Sequence, residues 1–155
     1  MAPTDKAAAR VQKIVAQMTE IAGHVLYVGV VGAAAAEQHR GDAPGVTVAD
    51  VAKRNYFGAP GVPARPWLAV AAKTKVGGIS TVSQRAVTAV ERGKKTPRAA
   101  LELLGAYVVG QVQEVISDGV PPPNAASTIA AKGSSKTLID TGHLRQSQTY
   151  EVRKR

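Results

Sequence analysis

The stretch from Thr96 to Gly119 restricts the fold more than any other part of this chain. Thr96 supplies a capping hydroxyl and Pro97 suits a first helical turn. Leu101, Leu104, Val108, Val112 and Val115 recur at steps of three and four, which puts them on one face of a helix. Gly119 and Pro121 to Pro123 stop it. A long helix with one apolar face has to be covered by other elements, so the other segments matter for what they can lay against it.

Residues 4 to 22 predict a second amphipathic helix, capped by Thr4 or Asp5. Val11, Ile14, Val15, Met18 and Ile21 form its apolar face, with Met18 as core filler. Val25 to Val31 reads as a strand apolar on both faces, with Gly29 marking a bulge or a close backbone approach. Residues 33–45 read as a loop with turn signals at Gly41-Asp42 and Pro44-Gly45. Within it, Ala33 to Ala36 either extends the strand or makes a helical turn. Thr47 caps a helix over Val48 to Tyr56, ended by Gly58, and residues 59–65 form an extended connector stiffened by proline. Helix resumes from Trp67 to Lys75 and from Ile79 to Arg92, with Gly77-Gly78 as a kink or break.

Toward the C-terminus, Asn124 caps a short helix over Ala125 to Lys132, and residues 133–137 are a loop. Asp140 caps a turn running through Ser147. Gln148 to Arg153 alternates with Tyr150 and Val152 on one side, as in a strand with one wet face, and residues 153–155 are a basic tail. The predicted class is α+β: one domain over residues 1–155, with a small antiparallel or mixed sheet packed with several amphipathic helices.

The net charge of +9 favours an acidic partner, whether nucleic acid, membrane surface or protein. The basic residues sit in small clusters at Lys53-Arg54, Arg92 to Lys95 and Arg153 to Arg155, not in the dense stripe of a DNA reader. Aromatics at 4% argue against a base-stacking surface. With no cysteine, disulfides, thiolate zinc sites and thiol catalysis are excluded. The N-terminus lacks the apolar core of a signal peptide, and the run Val25 to Ala36 is too short and glycine-rich to span a bilayer. The expectation is a soluble protein made inside the cell, without a membrane partner.

No catalytic set is legible. His24, His39 and His143 lie far apart, and none has a second ligand at helical spacing. Asp140 and His143 are three apart, but without a nucleophile or third ligand the pair reads as a helix cap beside a passenger histidine. Gly133 to Lys136 lacks the glycine spacing of a phosphate loop and reads as a mobile surface loop. The expectation is a non-enzyme with no cofactor and no metal.

Two stretches carry a resemblance. The first is Val48-Ala49-Asp50-Val51-Ala52, then Asn55-Tyr56-Phe57-Gly58, then Val62-Pro63-Ala64-Arg65-Pro66-Trp67-Leu68. The second is Pro122-Pro123, Ser127 to Ser135, Leu138-Ile139-Asp140-Thr141-Gly142-His143-Leu144 and Tyr150-Glu151-Val152. In order and spacing these resemble the tail-completion, or head–tail joining, proteins of long-tailed bacteriophages. That family shows an N-E-F-G-like segment followed by I-P-A-R-P-F-L, then S-T-I-x-x-K, P-L-I-D-T-G-x-L and a short strand. The likeness covers roughly residues 25 to 153. Tyr56 stands where the family has an acidic residue, Trp67 where it has Phe and Thr137 where it has Pro.

The resemblance implies a structural virion protein at the neck, assembled in the host cytoplasm. It implies a homo-oligomeric ring, hexameric or dodecameric, between the connector or head-completion protein and the tail tube, with genome DNA passing through its channel. Within the motifs, Pro63 and Pro66 set the backbone on either side of Arg65, and an Arg beside a Trp is typical of an interface anchor. Arg65, Pro66, Trp67 and Leu68 are therefore the expected interface; in the alternative, Trp67 plugs the core and Arg65 is solvated. Leu138, Asp140, Thr141, Gly142 and Leu144 are the expected fold signature, with Gly142 letting chains pass closely. The competing reading, from charge alone, is a basic nucleic-acid-binding module.

Overall fold

Two short strands from opposite ends of the chain meet over one long helix. A computed structural model describes residues 5–40 and 44–155. Along them run α1 (Asp5–Ala22), β1 (His24–Gly29), α2 (Ala33–Ala36), α3 (Val48–Phe57) and α4 (Trp67–Thr74). These are followed by α5 (Val76–Glu91), α6 (Pro97–Asp118), α7 (Ala126–Lys132), α8 (His143–Gln146) and β2 (Thr149–Lys154). The class is α+β.

The long amphipathic helix is α6, and most other elements pack against it: α1, α4, α5, α8 and both strands. The Thr96 hydroxyl accepts the Ala99 N–H at 3.2 Å, and Gly119 ends the helix at φ 95°. Val112, Val115 and Ile116 form the main core with Val48, Ala52, Trp67, Ala71 and Leu144. Nearer its start, Ala100 joins Ala86 and Val90, with Met18 and Ile21 of α1 packed on that cluster. α6 is long and apolar enough to cross a membrane by length and composition alone; here it is the helix on which α1, α4, α5, α8 and both strands pack.

The sheet is antiparallel, with Leu26 opposite Val152 and Val28 opposite Tyr150. One face lies on α6 at Gly105, where an added Cβ would sit 2.5 Å from the Tyr150 ring and 3.0 Å from Leu26. Gly105→Ala is expected to push the sheet off the helix and destabilise the fold by about 2 kcal/mol in urea titration. A strand apolar on both faces is expected to be covered on both sides, by its own chain or in an assembled ring; within the single chain the second face of β1 is open, with Tyr27 43% exposed. The strand also ends early, at Gly29, whose φ of 141° turns the chain beside the Leu68 side chain. There is no basic tail either. Arg153 and Lys154 belong to β2, and the Arg155 N–H donates to the Gly23 carbonyl at 2.9 Å.

Other boundaries shift for local reasons. Residues 33–36 make the helical turn α2, and Gln38 bridges to Thr47, so the predicted 33–45 loop is partly ordered structure. The Thr4 cap and the Gly41-Asp42 turn lie outside the described residues. At α3, Thr47 and Asp50 form a reciprocal capping box, and the Thr47 hydrogen bonds hold the Asp50 carboxyl below its ordinary pKa. The break between α4 and α5 falls at Lys75, not at Gly77-Gly78. Gly78 instead makes room for the Tyr107 hydroxyl of α6, so its small size serves close helix packing.

Candidate functional site

The two motif stretches, far apart in sequence, fold against each other. After α3 ends at Gly58, Ala59 and Val62 close a tight turn, and the Arg65 N–H returns to the Asn55 carbonyl at 2.8 Å. With Pro63 and Pro66 narrowing the backbone on either side, the Arg65 side chain is aimed inward. It is 4% exposed. Its Nε donates to the Pro122 carbonyl at 2.8 Å, and its Nη2 to the Pro123 carbonyl at 3.1 Å and Asn124 Oδ1 at 3.3 Å. Burial lowers the Arg65 pKa from its ordinary value.

Asn124 passes this link onward. Its Nδ2 donates to the carbonyls of Ser135 and Lys136 at 3.3 and 3.0 Å. The expected Asn124 cap is thereby corrected: Ala125 holds the N-cap position of α7, and the Asn124 amide is used across the loop. The Lys136 Nζ reaches the Ser117 carbonyl at 3.1 Å, so residues 133–137 are a tethered loop. Thr137 is buried, and its hydroxyl accepts the Val120 N–H at 2.9 Å. A proline at 137 offers no such acceptor, so the Val120 N–H depends on the threonine hydroxyl.

Trp67 makes the second link. It is 2% exposed, with its ring edge-on to Tyr56 at 5.1 Å and its Nε1 donating to Gln148 Oε1 at 3.4 Å. Gln148 Nε2 in turn donates to the Leu144 carbonyl at 2.9 Å. Of the four expected interface residues, then, Arg65 and Trp67 point into the molecule. Their place as an exposed anchor is corrected: peptide carbonyls and core side chains occupy them. Pro66 and Leu68 are only half-buried. No family model, curated protein or solved structure matches this chain.

Between the joined stretches lies a cleft of about 570 Å³, with Arg54 and Val62 on one side and Thr128 and Lys132 on the other. The second motif lines its floor and rim. Leu138 packs on the core with φ 60°, an uncommon backbone state for a non-glycine residue, and Leu144 is buried. Asp140 is exposed and caps nothing. Gly142 holds the N-cap position of α8 at φ 77°, and the Thr141 hydroxyl accepts the His143 N–H at 3.3 Å. Gly142 is thus needed for its backbone angle; no other chain segment presses on it.

His143 is no passenger. It is buried, its ring lies 5.2 Å from that of His39, and its Nδ1 accepts the Arg40 N–H at 3.1 Å. In the neutral ring the proton is therefore on Nε2, which lies 3.5 Å from Glu37 Oε2. These contacts tie residues 37–40 to α8. No cluster of three or more His, Cys, Asp or Glu side chains suited to a metal occurs among the described residues.

A second surface adjoins the site. Phe57 is 75% exposed, beside a shallow apolar groove of about 320 Å³ lined by Val30, Ala49, Tyr56 and Leu68. Phe57 was not among the expected interface residues. The available signal was that this, the only Phe of the chain, directly precedes the helix-ending Gly58.

Proposed function

We propose that this chain is a structural component of a tailed-phage virion, a tail-completion or head–tail joining protein acting as a ring at the neck. In this reading it is not an enzyme, and its work is shape-matched docking between connector and tail tube. One observation carries the reading: the two resembling stretches form a single mechanical unit. Arg65 is locked to Pro122, Pro123 and Asn124, and Trp67 to Gln148. Such a unit supports rigid presentation of a surface. The large apolar group that the unit turns outward is Phe57, with the half-buried Leu68 in the adjoining groove, so the docking role passes to them from Arg65 and Trp67. The net charge of +9 is compatible with a channel that passes DNA.

Phe57→Asp tests this directly. The side chain is largely exposed, so the variant is expected to fold with a melting temperature within a few degrees of the parent. Virions made with it are expected to leave heads and tails separate in electron micrographs. Labelled parent chain located away from the neck, or normal particle yield with Phe57→Asp, would sink the proposal.

A further inference from the structure

The outer edge of β2 is open. β2 lies on α6 by one face and pairs with β1 along one side, and no other described element makes more than glancing contact with it. The hydrogen bond from the Arg155 N–H to the Gly23 carbonyl, one step beyond the His24–Lys154 pair, sets the alternation of the ladder. Thr149, Glu151 and Arg153 turn their main-chain groups toward β1. Tyr150, Val152 and Lys154 turn theirs outward, where they take no hydrogen bond from the described residues. An edge of this kind is a template for another strand.

We propose that this edge pairs antiparallel with β2 of a second copy of the same chain, centred on Val152, to give the continuous strand order β1-β2-β2-β1. The residues themselves select the register. Residues opposite each other across an antiparallel pair share a face, so only same-parity pairings are allowed. Centring on Glu151, Arg153 or Lys154 sets that residue against its own like charge, and centring on Tyr150 sets Glu151 opposite Thr149 and leaves Arg153 without an acidic partner. Centring on Val152 sets Glu151 opposite the other copy's Arg153 at both ends of the seam. These fall at the non-hydrogen-bonded positions, where opposing side chains come closest. The outward main-chain groups of Tyr150, Val152 and Lys154 meet their counterparts in the same register, giving about six hydrogen bonds.

Both charges are placed to take part. The Glu151 and Arg153 side chains are 38% and 52% exposed and pair within the chain at 2.6 Å, with the Arg153 guanidinium 5.0 Å from the Tyr27 ring. Pairing two copies adds a second partner to each charge. The inference does not rest on the neck reading. A two-fold pair closes on itself, so it belongs to the free chain, and a ring needs a further surface.

The test needs no phage: native mass spectrometry and analytical ultracentrifugation of the purified full chain, up to about 100 µM. A concentration-dependent dimer is expected. Glu151→Arg and Arg153→Glu are each expected to weaken it about thirtyfold, and mixing those two variants is expected to restore a mixed dimer. The double variant E151R/R153E keeps the in-chain ion pair and so guards against misfolding. It is expected to pair with itself but not with the parent chain. A parent chain that stays monomeric, single variants that associate like the parent, or free mixing of the double variant with the parent would each overturn the proposal.

Discussion

Replacing Trp67 with alanine is expected to remove about 4 kcal/mol of folding stability, measured as a shift of the urea midpoint. The indole is buried in the main core, edge-on to Tyr56, and its loss leaves a cavity that rigid helices α3 and α6 cannot fill. It also strands Gln148 Oε1, which accepts the indole N–H. Against a typical reserve of about 5–15 kcal/mol, that is a large share of the total. Trp67→Phe keeps an aromatic ring on Tyr56 and loses the hydrogen bond, so it is expected to cost less than half as much. Were Trp67 an exposed anchor, alanine would leave the midpoint unchanged and affect only assembly. Its exposure of 2% decides for the core.

Arg65→Ala is the second large effect, and its character differs. Three acceptors on the 122–124 segment lose their donor at once, with an expected cost of about 3 kcal/mol. The damage should be concentrated where the guanidinium acted. Amide hydrogen exchange is expected to speed up across residues 124–138, while the amides of α6 are expected to lose protection only as far as global stability falls. Arg65→Lys is expected to rescue little, because an ammonium lacks the planar fork that reaches Pro122 and Pro123 together. Equal exchange rates in parent and Arg65→Ala across 124–138 would refute the cross-link.

Much of the helical layer was legible because its signals are local. Thr47 with Asp50, and Thr96 with Pro97, announce helix starts within four residues of chain. The apolar spacing in α6 reports which face is covered whatever covers it. The misses are of another kind. Asp140 has the chemistry of a cap, but the chain places Gly142 at the N-cap position, and a competent side chain does not ensure the geometry. Asn124 was available as a cap and is used by a loop instead. Arg65 had no legible partner, since its acceptors are mostly peptide carbonyls, which every residue carries. His143 looked isolated because its partners, Arg40 and His39, are about a hundred residues away.

The sequence by itself determined the α+β class, most helix boundaries and the absence of cysteine chemistry, because each depends on residue type or on neighbours within a few positions. Only the tertiary structure decided that the two motif stretches lock together, that Trp67 and Arg65 face inward while Phe57 faces out, and that Arg153 and Lys154 continue a strand. Those outcomes depend on which surfaces meet across the chain. Burial of Trp67 and of the Arg65 guanidinium depends on apolar contacts and carbonyls delivered by distant segments, and no local pattern encodes them.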